Sequence, residues 1–214
     1  MTYPDAYKGV KKIFIAQILA LITVVMAGVV NGLTSGVEKA FDITDETMAL
    51  AGSLGIAVLV IGILVIIMYL IGLRQAGRDE IYFRSGFTFA VIELIGSIAK
   101  AIGEYTKLDK LTDIGGLVEQ VAEILVIVYV IYGVIHLAQQ LDNEKVVGHG
   151  RRLLSLVTIM LLVSLVIRAI ANYVTSESAE EVLGIAIIAA SIVILIAYFI
   201  YILLLGRAVK MLKN

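Results

Sequence analysis

The sequence predicts an all-α integral membrane protein of six transmembrane helices, arranged as three tandem parallel helical hairpins with both termini cytoplasmic. The first observation behind this fold class is the composition. Hydrophobic residues make up 60% of the 214 positions, whereas a soluble domain has about 45–50%. The second is the grouping of these residues into runs of about 18 or more, which is long enough to cross a bilayer as a helix. The third is the uneven distribution of basic residues between the runs.

Six apolar runs define the predicted transmembrane helices. They cover 13–33, 48–72, 85–104, 117–138, 153–174 and 182–205. The connections are too short for a soluble domain, so we expect one transmembrane domain over 1–214, with hairpins at approximately 8–75, 82–140 and 150–210. The first run follows three lysines, as in a signal peptide, but it is longer than a usual signal sequence and the pattern recurs downstream. We therefore expect it to be a retained span.

The lysine and arginine residues predict the orientation of the chain in the membrane. Most of them flank the termini or lie in the second and fourth connections: Lys8, Lys11, Lys12, Arg74, Arg78, Arg84, Lys145, Arg151, Arg152, Arg207, Lys210 and Lys213. The first and third connections hold only Lys39, Lys107 and Lys110. Because basic residues are retained on the cytoplasmic side, both termini are predicted to be cytoplasmic.

An internal similarity supports the hairpin repeat. Residues 97–105 resemble residues 165–173, which aligns Lys100 with Arg168. The fourth and sixth helices each carry a Tyr-x-x-Tyr pair: Tyr129 with Tyr132, and Tyr198 with Tyr201. Hairpins of an even number of spans share one orientation and are related by an axis along the membrane normal. Such a ring encloses either a packed core or a path, and the tyrosines form either an interfacial belt or the lining of a vestibule.

A polar stripe on the third helix is the main candidate for a functional site. Ser97, Lys100 and Glu104 follow Glu93 on the same helical face. Glu93 is about 12 Å from the predicted inner end of the helix at 1.5 Å per residue. An acidic side chain at that depth costs about 2.5–3.5 kcal/mol, so it is expected to face protein or water. The stripe is either a polar path for a cation or proton, or a set of hydrogen-bonding groups that hold neighbouring helices together.

A second candidate is an outer charge cluster. Glu119 and Glu123 lie one turn apart near the start of the predicted fourth helix, and Lys100 and Arg168 are predicted at a similar depth. These four side chains could therefore meet near the outer membrane surface. The alternative is that the two acids occupy an exposed first turn, where negative charge is favoured by the helix dipole.

Small residues and histidines suggest partners. Gly28, Gly32 and Gly36 form a ridge that allows close helix packing, within the chain or between copies in a homo-oligomer. The lipid bilayer is the other expected partner. The sequence around His149, in a predicted Gly-His-Gly loop beside Arg151 and Arg152, suits contact with anionic headgroups. A role of either histidine, His136 or His149, in pH sensing is the alternative.

Several classes of function are disfavoured. The chain has no cysteine, which removes disulfides, thiolate metal sites and cysteine nucleophiles. No HExxH motif, phosphate loop or serine–histidine constellation is present, so we expect no catalysis and no cofactor or metal. The net charge of −1 suggests no nucleic-acid partner.

Two functions remain. The first is a transporter or channel for a small solute, cation or proton along the third helix. The second is a non-transporting scaffold, a stress-response protein or a subunit of a larger membrane complex. The short loops and the absence of an Asn-x-Ser/Thr site are typical of a bacterial or archaeal cytoplasmic membrane.

Overall fold

The backbone is helical throughout most of its length. The computed structural model describes the backbone of residues 2–40, 45–171 and 177–213, and the side chains of 2–31, 52–159 and 191–213. Within these ranges the chain contains no strand, which confirms the all-α class, and it forms six helices. Their bounds are α1 (Pro4–Ala40), α2 (Asp45–Ala76), α3 (Ile81–Thr106), α4 (Asp109–Gln140), α5 (Glu144–Ala171) and α6 (Glu177–Lys213).

Five helices are long and apolar enough to cross a membrane. These segments are Pro4–Asn31, Gly52–Ala76, Ile81–Thr106, Asp109–Gln140 and Ser191–Lys213. Five of the six predicted spans are therefore confirmed as helices of the length and apolar composition that a membrane span needs. The predicted span at 153–174 falls largely outside the residues whose side chains are described, and it stays a prediction.

The helices extend well beyond the predicted spans, and the predicted connections were too long. The segments 73–84, 105–116 and 139–152 shrink to turns at 77–80, 107–108 and 141–143. Hydropathy marks only the part of a helix that suits hydrocarbon, whereas charged flanking residues continue the same helix toward water. The predicted Gly-His-Gly loop is accordingly wrong, because His149 lies within α5.

Two of the turns close in the same way. In the α3–α4 turn, Lys107 takes a left-handed conformation with φ 55°, and the Leu108 backbone N–H donates to the Gly103 carbonyl at 2.9 Å. In the α4–α5 turn, Asp142 has φ 51° and the Asn143 N–H donates to the Ala138 carbonyl at 2.8 Å. This is the hydrogen-bond pattern of a Schellman motif, which reverses the chain within a few residues.

The helices form a ring in chain order. Each helix packs against the next one, α6 packs against α1 to close the ring, and α4 also contacts α6. We call the end with the N-terminus of α1 and the C-terminus of α6 the termini end, and the opposite end the distal end. The turns 77–80 and 141–143 lie at the termini end, and the turn 107–108 lies at the distal end.

The interior of the ring is packed at the termini end. Its fully buried side chains come from every helix around the ring and include Val10, Ile13, Leu73, Phe83, Val134, Leu153 and Leu205. Large apolar side chains on the outside of α2, such as Ile63 and Ile67, remain exposed to the bilayer. Of the two arrangements left open by the sequence, the described termini half therefore has a packed core.

Glycines bring the helices of two hairpins into backbone contact. A Cβ atom added at Gly9 in α1 would lie 2.5 Å from the Gly72 carbonyl oxygen in α2. One added at Gly115 in α4 would lie 2.5 Å from the Lys100 nitrogen in α3, and one at Gly96 would lie 2.7 Å from the Glu119 nitrogen. Small residues allow this approach because no side chain separates the helices.

The predicted glycine ridge on α1 is not one of these backbone contacts. A Cβ atom at Gly28 would meet nothing within 4 Å, so this residue does not mediate helix packing within the described part of the chain. Gly32 and Gly36 lie outside the residues whose side chains are described. The role of the ridge in a homo-oligomer stays a prediction.

Candidate functional site

A cavity of about 250 Å³ lies among α1, α2, α3, α4 and α6. We call it the central cavity. Its polar lining consists of Gln17, Tyr69, Glu93, Ser97, Glu123, Tyr198 and Tyr201. Three residues line the cavity and also belong to the packed core: Ala90, Val126 and Tyr201. The cavity therefore begins where the core of the termini half ends.

Glu93 places a carboxyl group at the middle of a transmembrane helix. α3 has 26 residues, which corresponds to a length of about 39 Å. Because α3 starts at Ile81 and not near residue 85, Glu93 is about 18 Å from the termini end of its helix, deeper than the sequence indicated. An ionisable group at this depth is expected to face the protein interior or water, and Glu93 is only partly exposed and faces the central cavity.

Among the residues whose side chains are described, the carboxyl groups of Glu93 and Glu123 have no basic partner. Within the described residues, neither makes an ion pair or a side-chain hydrogen bond. Glu93 and Glu123 line the same cavity, so their negative charges repel each other when both are ionised. Carboxylates in largely apolar surroundings are costly without a compensating positive charge or hydrogen bond. A bound proton or cation would supply that compensation.

Glu119, in contrast, is fully paired. The Ser97 hydroxyl donates to Glu119 Oε1 at 2.8 Å, and Lys100 Nζ donates to Glu119 Oε2 at 3.3 Å. The contact joins α3 to α4 where Gly96 and Gly115 bring the two helices together. Residues of the predicted stripe and of the predicted outer cluster thus meet in one network.

The other predicted site residues lie elsewhere. Glu104 is exposed near the distal end of α3 and is not part of the cavity lining. Glu119 and Glu123 are three to four turns inside α4, because this helix begins at Asp109, and they do not occupy a first turn. Arg168 lies outside the residues whose side chains are described.

Tyrosine hydroxyls and one amide complete the cavity. The Tyr198 hydroxyl donates to Gln17, lying 2.7 Å from Oε1 and 2.9 Å from the backbone oxygen. Tyr201 is 3% exposed, and its hydroxyl has no hydrogen-bond partner of ordinary geometry among the described residues. The cavity is thus lined by three tyrosines, Tyr69, Tyr198 and Tyr201. Gln17 was not identified from the sequence, although an amide within an apolar run is itself a signal of helix association or a site.

A buried acid lies at the termini end, away from the central cavity. Glu80 is 3% exposed, and its Oε2 atom is 2.5 Å from His136 Nδ1. The Tyr82 ring packs edge-on against His136 and stacks on Tyr132, with centroid distances of 5.7 and 5.8 Å. The hydrogen bond and the ring contacts hold the start of α3 against the end of α4. Sequence reasoning missed Glu80 because it stood in a predicted loop.

The same turn, 77–80, also contacts the start of α1. Asp79 Oδ2 accepts a hydrogen bond from the Ala6 N–H at 2.7 Å, which satisfies a free donor in the first turn of α1. Lys12 Nζ donates to Gln75 Oε1 at 2.8 Å. These contacts close the termini end over the packed core.

Comparisons of the chain with protein-family models, curated proteins and solved structures find no match. Within the described residues, no three His, Asp or Glu side chains converge to hold a metal ion. The fold and the cavity define a membrane-embedded helical protein in which two carboxyl groups that are unpaired among the described residues line a central cavity.

Proposed function

We propose that this protein is a small membrane transport protein and that Glu93 binds the transported cation or proton in the central cavity. The observation that carries the proposal is the carboxyl group at the middle of α3, which, like that of Glu123 in the same cavity, is unpaired among the described residues. Intramembrane ionisable groups of this kind commonly mark ion or proton pathways. The protein is proposed to have no enzymatic activity.

The lining of the cavity suits a small positive charge. Glu93 and Glu123 contribute negative charge, and the hydroxyls of Tyr69 and Tyr201 contribute further oxygen atoms. Lys100, which lies two turns after Glu93 on α3, is paired with Glu119 and makes no described ion pair with the other two acids. A cation or proton entering the cavity would therefore meet acceptors whose charge is uncompensated.

The proposed transport proceeds by alternating access. In the described part of the chain, a packed core fills the termini half, and Asp79 and Glu80 link its helices, so we expect no open route from the cavity through that half. A permeating ion would pass only when the helices rearrange. The proposal places the termini in the cytoplasm of a bacterium or archaeon, since the basic residues cluster at that end. α5 provides the sixth span, and the three hairpins are the proposed repeats.

The test is ion flux in proteoliposomes that contain the full-length protein. Glu93→Gln removes the charge and keeps the shape of the side chain. A hydrogen bond to a charged group contributes about 1.5–3 kcal/mol, so proton or monovalent-cation flux at limiting concentration is expected to fall by about tenfold or more. Glu104→Gln is the matched control, because Glu104 is on the same helix but outside the cavity, and its flux is expected to equal that of the wild type.

Equal flux in Glu93→Gln and wild type would remove Glu93 from the mechanism. Absence of flux in the wild type for protons and for Na⁺ or K⁺ would instead support a second candidate function, a non-transporting scaffold, stress-response protein or complex subunit. The closed termini end and the open space at Gly28 favour that candidate. It predicts that a partner protein co-purifies with the chain in fixed stoichiometry.

A further inference from the structure

A groove of about 410 Å³ lies between α5 and α6 at the termini end, away from the central cavity. Three basic side chains line the part of the groove nearest the termini end: His149 and Arg152 from α5, and Arg207 from α6. The part toward the distal end is apolar and includes Leu156, Ile200 and Leu203. We call it the basic groove.

Among the described residues, no acidic side chain lines the basic groove to compensate its positive charge. Within the described part of the chain, Arg152 and Arg207 make no ion pair and no side-chain hydrogen bond. His149 Nδ1 donates to the Lys145 carbonyl oxygen at 2.6 Å, which leaves Nε2 for another contact. Two guanidinium groups that face one site suit a phosphate, whose oxygens accept paired hydrogen bonds from arginine.

The apolar part of the groove continues from the arginines toward the middle of the bilayer. Leu203 and Ile200 lie one and two turns from Arg207 on the same face of α6, and Leu156 lies one turn from Arg152 on α5. Leu203 is 62% exposed, so it offers its surface to a neighbouring hydrocarbon chain. Charge at the helix ends and apolar surface beneath it match the two parts of a phospholipid.

We propose that the basic groove binds an anionic phospholipid from the leaflet at the termini end. Arg152 and Arg207 hold the headgroup phosphate, and an acyl chain lies against Leu156, Ile200 and Leu203. A zwitterionic lipid is a poorer ligand because its ammonium group is repelled by the basic side chains. Basic pockets between transmembrane helices are suited to acidic headgroups. A free phosphate would leave the apolar part of the groove unfilled.

The experiment measures lipid retention by native mass spectrometry of the full-length protein, delipidated and supplied with phosphatidylglycerol or phosphatidylcholine. The wild type is expected to retain phosphatidylglycerol preferentially. Each of Arg152→Gln and Arg207→Gln is expected to weaken that retention by roughly fivefold, as follows from about 1 kcal/mol for each basic residue near a membrane surface. Arg151→Gln is the matched control, since Arg151 is the adjacent residue but lines a different surface with Asn143 and Glu144. It is expected to retain the lipid as the wild type does.

A further variant separates a lipid from a free anion. Leu203→Gln leaves all charges in place and is expected to weaken phosphatidylglycerol retention, whereas glycerol phosphate is expected to give no displacement of bound lipid at equal concentration. The proposal is overturned if the double variant Arg152→Gln with Arg207→Gln retains phosphatidylglycerol like the wild type. It is also overturned if the wild type retains both lipids equally. Displacement by glycerol phosphate would also overturn it. Circular dichroism of each variant confirms that a loss of lipid is not a loss of helix.

Discussion

At the scale of single residues, the buried and half-buried acids differ in how their charge is compensated. Glu80 contacts His136, and Glu119 accepts hydrogen bonds from Ser97 and Lys100. Glu93 has no such partner among the described residues. Pairing offsets the cost of removing a charge from water, so the paired acids have a structural explanation. For Glu93, and for Glu123 beside it in the cavity, a bound proton or cation would supply the missing compensation.

Removal of the partner of Glu80 tests the structural pair. His136→Ala is expected to lower the free energy of unfolding by about 1–3 kcal/mol, because it leaves a buried acceptor without its partner. The measurement is reversible denaturation in detergent followed by circular dichroism. His149→Ala is the control, with an expected change within about 0.5 kcal/mol, since the described contact of His149 is to the backbone of its own helix.

A double-mutant cycle assigns the effect to the contact. If Glu80 and His136 act together, the double variant Glu80→Ala with His136→Ala loses less stability than the sum of the single losses, by about 0.5–3 kcal/mol. Additive losses would show that the 2.5 Å contact contributes nothing to the stability of the bundle.

At the scale of the helices, glycine contacts decide which pairs pack closely. α3 and α4 meet at Gly96 and Gly115, where no side chain keeps the backbones apart. This approach also sets the positions of Ser97, Lys100 and Glu119, which form their network beside the glycines. The packing of one helix pair therefore determines which acid is neutralised by Lys100.

Two adjacent glycines offer a test of this contact. A Cβ atom at Gly115 would lie 2.5 Å from the Lys100 nitrogen, whereas one at Gly116 would come no nearer than 3.8 Å to the Lys100 side chain. Gly115→Ala is expected to destabilise the protein by about 1–3 kcal/mol through overpacking. Gly116→Ala is expected to be neutral or slightly stabilising, since alanine favours the helix by about 1 kcal/mol.

Thermal unfolding of the two variants in the same detergent gives the comparison. Equal stability would mean that α3 and α4 separate without cost, and the close contact would then not determine the geometry of the Lys100–Glu119 pair.

At the scale of the whole molecule, the ring has two parts with different interiors. The termini half is filled by side chains such as Val130, Leu137 and Ala138, all fully buried. Beyond it, the central cavity interrupts the packing at Glu93 and Ser97. This division places the proposed binding site on the distal side of a closed core.

Cysteine labelling tests this division in a chain that has no cysteine of its own. Ser97→Cys, in the cavity, is expected to react with a water-soluble thiol reagent in intact membranes, because the reactive thiolate requires water. Ala138→Cys, in the core, is expected to stay unreacted. Tyr105→Cys is the positive control, since Tyr105 is 90% exposed. Protection of Ser97→Cys together with labelling of Tyr105→Cys would show that the cavity is dry and would argue against permeation.

The sequence determined the membrane-embedded helical class by itself, because the free energy of placing apolar residues in hydrocarbon depends on local composition and length. It also placed Glu93 and Ser97 on one face of a helix, since helical periodicity is local. It underestimated the helix lengths, because the charged ends of a helix carry no hydropathy signal.

Only the tertiary structure decided which polar residues meet. That Lys100 pairs with Glu119, that Glu80 contacts His136 and that Gln17 accepts a hydrogen bond from Tyr198 each depends on how distant segments pack. These contacts depend on the close approach of particular glycines and on the order of helices around the ring, and neither is encoded in the pattern of a single span. The structure thereby identified Glu93, among several acids of similar sequence context, as one that no basic side chain in the described part of the chain neutralises.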